Sequence, residues 1–237
     1  MARLLITGDV HGEFDVEKLY PSYFPEGRHL TKEDFIIVCG DFGMIWDYRG
    51  MSAAERNRLN WLNERPWTTL FVDGNHECFP RLNSYPIKEW NGGKVHQIED
   101  SIFHLMRGEV YDIDGIKLFA FGGAQSTDKQ YRIIGKSWWP EEEPSMEEYN
   151  NAIKNLERIN YEPDIIITHE APMDYKNLVY GSRSQLKDKT SLMLHDILCL
   201  CPNYGHWYCG HHHMDLKAND RFDFLYWNIV EFKRGEK

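Results

Sequence analysis

An α/β fold with an α+β departure in its middle is predicted by three features of the chain. Short apolar runs alternate with helix-like stretches through the first third, and again after residue 145. Between residues 94 and 121, β-type runs follow one another with only turn residues between them, which argues for an antiparallel part beside the alternation. Five of the apolar runs end directly in small polar clusters rich in Asp, Asn, His and Gly. In α/β sheets, ligands gather where loops leave the carboxyl ends of strands.

Taken in order, the first strand, about Arg3 to Thr7, delivers Asp9 and His11, and Gly8 and Gly12 permit the tight turn. Phe14 to Tyr20 has helical character until Pro21, Pro25 and Gly27 break it. Asp34 opens the second strand, Phe35-Ile36-Ile37-Val38, which runs into Gly40-Asp41-Phe42-Gly43. Residues 52–65 read as an amphipathic helix, with Ser52 and Glu55 forming a capping box and Leu59 and Leu62 facing the core. Pro66 stops it, and a strand near Thr68 to Val72 delivers Gly74-Asn75-His76-Glu77.

The middle strands are expected at Lys94 to Ile98, Ile102 to Met106, Glu109 to Ile113 and Ile116 to Phe121, with Asp114-Gly115 as a hairpin turn. Gly122-Gly123 opens a long irregular stretch through Pro144, and loops of that length are usually functional or disordered. With Arg132 and Trp138-Trp139 in it, this one reads as an ordered wall near the site. Ser145 starts a helix reaching about Ile159, Ile165 to Thr168 delivers His169-Glu170, and residues 184–200 fit another helix. Trp207-Tyr208-Cys209 runs into Gly210-His211-His212-His213, and Asp223 to Phe232 alternates enough to close a sheet as a strand.

Length suits one large domain or two small ones, and the reading is a single domain over residues 1–237. With 27 basic against 37 acidic residues the formal charge is −10, which repels bare nucleic-acid backbones. Long nucleic acid is therefore not the expected partner, although bound dications would reverse the sign locally and admit a phosphate. The five cysteines, Cys39, Cys78, Cys199, Cys201 and Cys209, form no CxxC pair and fit reduced, mostly buried thiols. Gly8 and Asp9 cut short any signal-peptide core, and no apolar run approaches the roughly 20 residues of a membrane span. The expected location is cytoplasmic, without a membrane partner.

The polar clusters carry the chemistry. Asp9, His11, Asp41, Asn75, His169, His211 and His213 are too many ligands for one tetrahedral ion and suit two ions that also keep water. Two ions roughly 3.5–4 Å apart can share a carboxylate and a hydroxide and hold both ends of an in-line displacement. The i, i+2 spacings Asp9/His11 and His211/His213 would let each pair reach one metal from extended backbone, with His212 pointing away. His29, His96, His104, His195 and His206 lie outside the clusters and read as structural or surface residues.

Gly8-Asp9-Val10-His11-Gly12, Gly40-Asp41, Gly74-Asn75-His76-Glu77, the lone His169 and Gly210-His211-His212-His213 resemble, in order, the signature of the calcineurin-like metallophosphoesterases. The resemblance implies a four-layer αββα sandwich of two mixed β-sheets flanked by helices. It implies Asp9, His11 and His213 on one ion, Asn75, His169 and His211 on the other, and Asp41 bridging. His76 resembles the family's second-sphere histidine, which contacts the substrate phosphate and assists the leaving group.

The expected activity is metal-dependent hydrolysis of a phosphate ester, monoester or diester, by in-line attack of a metal-bridging hydroxide. The expected cofactors are two divalent or transition ions: Mn, Fe, Zn or Ni. A small phosphate ester is the expected substrate, with a phosphoprotein as the other candidate; the alternative is a metal-binding scaffold without catalysis. One departure stands out: the family's protein phosphatases carry a second Asp three residues after the bridging one, where this chain has Met44. Asp47 is either its displaced equivalent or an ordinary loop residue. Arg132, near Asp128 and Lys136, could bind phosphate or simply anchor its loop. Trp138-Trp139 could stack a base but fits core packing better, and Glu141-Glu142-Glu143 reads as a solvated turn.

Overall fold

Strands with continuous apolar sequences need cover on both faces, and the computed structural model supplies it with two sheets packed between helical layers. The structure describes residues 1–181 and 188–234. In chain order the first elements are β1 (Leu4–Thr7), β2 (Phe35–Val38), α1 (Ala53–Asn63), β3 (Thr68–Phe71), α2 (Phe79–Leu82) and β4 (Ile87–Trp90). Then come β5 (Gly93–Glu99), β6 (Ile102–Leu105), β7 (Glu109–Ile113), β8 (Ile116–Phe121), α3 (Met146–Glu157) and β9 (Ile165–Thr168). The last are α4 (Met173–Tyr180), α5 (Lys189–Leu200), β10 (His206–Cys209), β11 (Leu216–Asn219), β12 (Phe222–Phe224) and β13 (Ile229–Glu231).

One sheet has the order β13-β1-β2-β3-β6-β5-β4, the other β11-β12-β10-β9-β8-β7. Both are mixed: in the first, β1, β2, β3 and β6 run parallel while β4, β5 and β13 run antiparallel to their neighbours, and in the second, β8, β9, β10 and β12 run parallel while β7 and β11 run antiparallel to theirs. Alternation along each strand sorts the core into layers. Leu4 and Ile6 enter the layer between the sheets with Leu118, Ala120, Ile165 and Ile167. Leu5 turns outward to the layer under α1, which contributes Leu59 and Leu62. On the far side, Ile166 and Trp207 pack under α3 and α5 through Leu156, Leu194 and Ile197. The result is the expected αββα sandwich.

Pairing register decides where the polar clusters go. Thr7 aligns with Val38 and Val38 with Phe71, so the loops after β1, β2 and β3 leave one edge together. In the second sheet Cys209 aligns with Thr168, which does the same for β9 and β10. The capping boxes at Ser52/Glu55 and Ser145/Glu148 both form and start α1 and α3 where expected. Asp114 and Gly115, both at positive φ, close the β7–β8 hairpin.

Three expectations need correction, and a fourth is described only in part. Phe14–Tyr20 yields only a 3-10 turn, Val16–Leu19. The consecutive middle strands do not form one antiparallel block but divide, β4–β6 in one sheet and β7–β8 in the other. The tail is not one strand either: β12 joins the second sheet and β13 crosses to the first, because Asp215 holds the backbone N–H groups of Tyr226, Trp227 and Asn228 in a bend. Of the helix expected over 184–200, α5 covers Lys189–Leu200, and residues 184–187 lie outside the described residues.

Candidate metal centre

Asp9, His11, Asp41, Asn75 and His76 arrive from the first sheet, and His169, His211 and His213 from the second. The loops are locked to each other by backbone bonds: Val10 and His11 donate to the Asp41 carbonyl at 3.0 and 2.8 Å, and Gly210 donates to the His169 carbonyl at 3.1 Å. Three groups of side chains each offer ligand atoms within 4.8 Å of one another: Asp9/His11/His213, His11/Asp41/His76 and Asp41/His169/His211. Asn75 completes the last of these, its Oδ1 lying 3.3 Å from His169 Nε2.

The backbone is bent hard to achieve this. His11, Asp41, His211 and His213 all have left-handed φ, between 44° and 67°, where non-glycine residues are uncommon. Such outliers persist only when surrounding contacts over-determine them, and they collect at functional sites. This overturns the extended i, i+2 geometry expected for the histidine run: His211 and His213 diverge to different groups. His212 does turn away, with Nε2 2.9 Å from Glu170 Oε1 and Nδ1 3.0 Å from the Tyr180 hydroxyl. Glycine is required beside the ligands for space. A Cβ on Gly74 would sit 2.1 Å from Asp41 Oδ1, and one on Gly40, at φ +93°, would sit 2.2 Å from His169 Nδ1.

Charge is concentrated here. Asp9 and Asp41 are fully buried, a state in which isolated carboxylates are costly. Burial pushes the Asp41 carboxyl up, but His169 and His11 beside it prevail and hold it well below the usual range. Burial likewise opposes charge on His169 and His11, yet the neighbouring carboxylates raise these imidazoles to about 10 and about 9. Burial dominates at His211, lowering it to about 4 against the pull of Glu170. The cluster thus demands positive charge next to Asp9 and Asp41, which protons on His11 and His169 supply in the metal-free chain. Asp9 Oδ2 is buried with no donor in hydrogen-bond geometry, an orphan acceptor that a cation would satisfy. The residues fit metal ions.

Outer contacts orient the ligand candidates. His169 Nδ1 donates to the Cys39 carbonyl at 2.7 Å, leaving Nε2 for the site. His11 Nδ1 meets Asp15 Oδ2 at 2.6 Å, and the Tyr226 hydroxyl donates to Asp15 Oδ1 at 3.0 Å while its ring stacks on His213. Lys18, buried with its ammonium pushed down to about 8 by burial, donates to the carbonyls of Gly8, Asp9 and Tyr226. Glu77 accepts from the Phe42 N–H at 2.7 Å, and burial pushes its carboxyl well up. Of these, Glu77 closes the Gly74-Asn75-His76-Glu77 motif, whereas Asp15, Lys18 and Tyr226 belong to none of the polar clusters. Among the last three, Asp15 alone left a signal in the sequence, four residues after His11.

His76 sits at the open edge, its side chain about one-third exposed, with the imidazole stacked on Trp46 and Nε2 4.0 Å from Asp41 Oδ2. Burial, then the charge of Arg132, lower its pKa below the ordinary value against the pull of Asp41. Arg132 lies against it, Nη2 3.0 Å from His76 Nε2, while its Nε pairs with Asp128 at 2.7 Å. Asp47 is not a displaced orienter of His76: both its oxygens bind Arg49. Trp139 packs as expected, against Trp46, Cys78 and Phe79. Glu142 contradicts the solvated-turn expectation and is 1% exposed. A cavity of about 880 Å³ opens beside His11, His76 and His213, bordered by Trp46, Tyr48 and Lys136. A larger one, about 1130 Å³, borders Asp73, His104 and Arg107 and touches none of the seven ligand candidates.

A family model of the calcineurin-like phosphoesterases matches residues 2–215, a span that contains every residue of the centre. The chain belongs to this family. Among curated relatives of this phosphoesterase, lariat debranching enzyme A of Xenopus laevis is 22% identical over 245 residues, covering 91% of this chain and 43% of that protein. The lariat debranching enzyme of Schizosaccharomyces pombe is 29% identical over 135 residues, 52% of this chain and 26% of that one. The chain thus spans less than half the length of these curated relatives. A solved Staphylococcus aureus protein, named as a candidate 5'-nucleotidase, shares the fold at a TM-score of 0.51 and 15% identity, covering 95% of this chain and 48% of that one. No helix among the described residues is long and apolar enough to cross a membrane.

Proposed function

We propose that this chain hydrolyses a phosphate ester at a centre for two divalent or transition ions. Asp9, His11 and His213 would hold one ion, Asn75, His169 and His211 the other, with Asp41 shared. The observation that carries this reading is the attitude of Asp41. Its Oδ2 faces one group, 3.1 Å from His11 Nε2, and its Oδ1 faces the other, 3.3 Å from His169 Nε2. A carboxylate turned both ways is placed to be shared between two ions.

Ions bound there would draw charge from the phosphoryl oxygens and lower the pKa of water. The chain's own groups bind and orient the ester. Arg132 only donates, so His76 Nε2 accepts from it and the imidazole proton sits on Nδ1. Arg132 Nη1 is buried without a partner, and a shift of the guanidinium would bring it to a phosphoryl oxygen. A phosphate that draws the guanidinium across would free His76 Nε2 to hold a proton for the departing oxygen.

Manganese, iron, zinc and nickel all suit the mixed imidazole and carboxylate set. The test is metal analysis followed by hydrolysis of para-nitrophenyl phosphate and its bis-ester with each ion, against a chelated control. Because the relatives named above are lariat debranching enzymes, a lariat belongs in the same panel. Two ions per chain, chelator-sensitive turnover and its loss in Asp41→Asn are expected. A protein loaded with two ions yet inert toward every ester would make it a scaffold.

A further inference from the structure

Asn75 differs from the other proposed ligands in having two unlike ends. Its amide offers an oxygen that can bind a cation and a nitrogen that cannot, and half a turn about its last bond exchanges them. Oδ1 faces the centre, while Nδ2 donates to Ser126 Oγ at 3.3 Å. Ser126 in turn donates its hydroxyl proton to Glu142 Oε2 at 2.6 Å, and its backbone N–H to Glu142 Oε1 at 2.8 Å. All three residues are buried: Asn75 is 5%, Ser126 2% and Glu142 1% exposed.

The chain of bonds has a direction. A carboxylate accepts and does not donate, so the single hydroxyl proton of Ser126 is committed away from Asn75. Only lone pairs of Ser126 remain for the amide, and only Nδ2 can use them. Glu142 is itself held in place: the Ala124 N–H donates to its carbonyl at 3.1 Å, and Arg107 Nη2 donates to the carbonyls of Glu141 and Glu142 at 2.8 and 3.3 Å.

We propose that Ser126 and Glu142 are positioning residues that set the Asn75 amide with its oxygen toward the metal, so that the stretch between β8 and α3 governs retention of one ion. This rests on the two-ion reading of the centre. Partners of this kind typically change metal affinity by about 10- to 100-fold when removed.

The test is calorimetric titration of Mn²⁺ into the metal-stripped full chain. Ser126→Ala and Glu142→Gln are each expected to weaken one of two sites by about 10- to 100-fold and leave the other unchanged. In Glu142→Gln an amide nitrogen can face Ser126 and turn its hydroxyl round; this variant serves if Ser126→Ala does not fold by circular dichroism. The decisive background is Asn75→Asp, whose carboxylate has no wrong face. There Ser126→Ala is expected to cost no further affinity, whereas a merely structural role would cost the same in both backgrounds. Unchanged Mn²⁺ affinities in both single variants, or an equal loss in the Asn75→Asp background, overturn the proposal. An unsubstituted chain that binds fewer than two Mn²⁺ overturns the two-ion reading instead, before any variant is compared.

Discussion

Arg132 holds a guanidinium nitrogen 3.0 Å from Nε2 of His76, so the resting imidazole presents an acceptor where a leaving-group acid would need a proton. After burial, the charges of Arg132, His11 and His169 lower the His76 pKa against the pull of Asp41. Arg132→Met is therefore expected to raise the His76 pKa in metal-free protein, read from its ring protons by NMR. It should also lower kcat/KM on the order of 100-fold by removing a donor from the phosphate. An unmoved His76 titration would separate the two residues.

His76→Ala tests the other partner. His76 lies at the open edge, and the seven ligand candidates do not depend on it for their contacts with one another. Metal content should stay at the unsubstituted level while turnover falls by about 10²- to 10⁴-fold, the usual range for losing a general acid. Full turnover in this variant removes His76 from the chemistry.

Metal-free protein should lose stability as the medium becomes alkaline. His11 and His169 titrate near 9 and 10 when folded and near 6.5 when not. The stability contributed by their charged contacts with Asp9 and Asp41 is fully present below about pH 6.5 and is lost as pH rises through the folded values. The melting temperature of chelated protein should fall between about pH 6.5 and 10, while that of Mn²⁺-loaded protein falls less. Parallel curves would mean that the ions do not take over from the protons.

Lys18→Met removes the ammonium that joins the carbonyls of Gly8, Asp9 and Tyr226. Leaving buried acceptors without a donor costs roughly 1–3 kcal/mol each, so chelated protein should lose at least about 2 kcal/mol in urea unfolding. An unshifted midpoint would show that water replaces the ammonium without cost.

The strands that carry the centre were legible because each is buried on both faces and reads as an unbroken apolar run, Phe35-Ile36-Ile37-Val38 being the plainest. β4 was not, since Ile87–Trp90 is an exposed edge with alternating charge. The motif residues were legible by type and order, but their backbone was not: nothing in Gly210-His211-His212-His213 announces the left-handed turns that send alternate histidines apart. Lys18 and Glu142 escaped for another reason. A lone charged residue in a polar stretch looks solvated until distant segments, such as Tyr226 or Ser126, are seen to close over it.

The division of the centre between two sheets bears on how the protein is made. Its ligand candidates begin at Asp9 and finish at His213, and neither sheet brings a full set alone. A chain emerging from the ribosome therefore has no complete nest for the proposed pair of ions until synthesis has passed residue 213 and both sheets have closed on each other. Loading of both proposed ions would follow folding, and a truncated translation product ending before His211 would keep His11, Asp41 and His76 but not the full set.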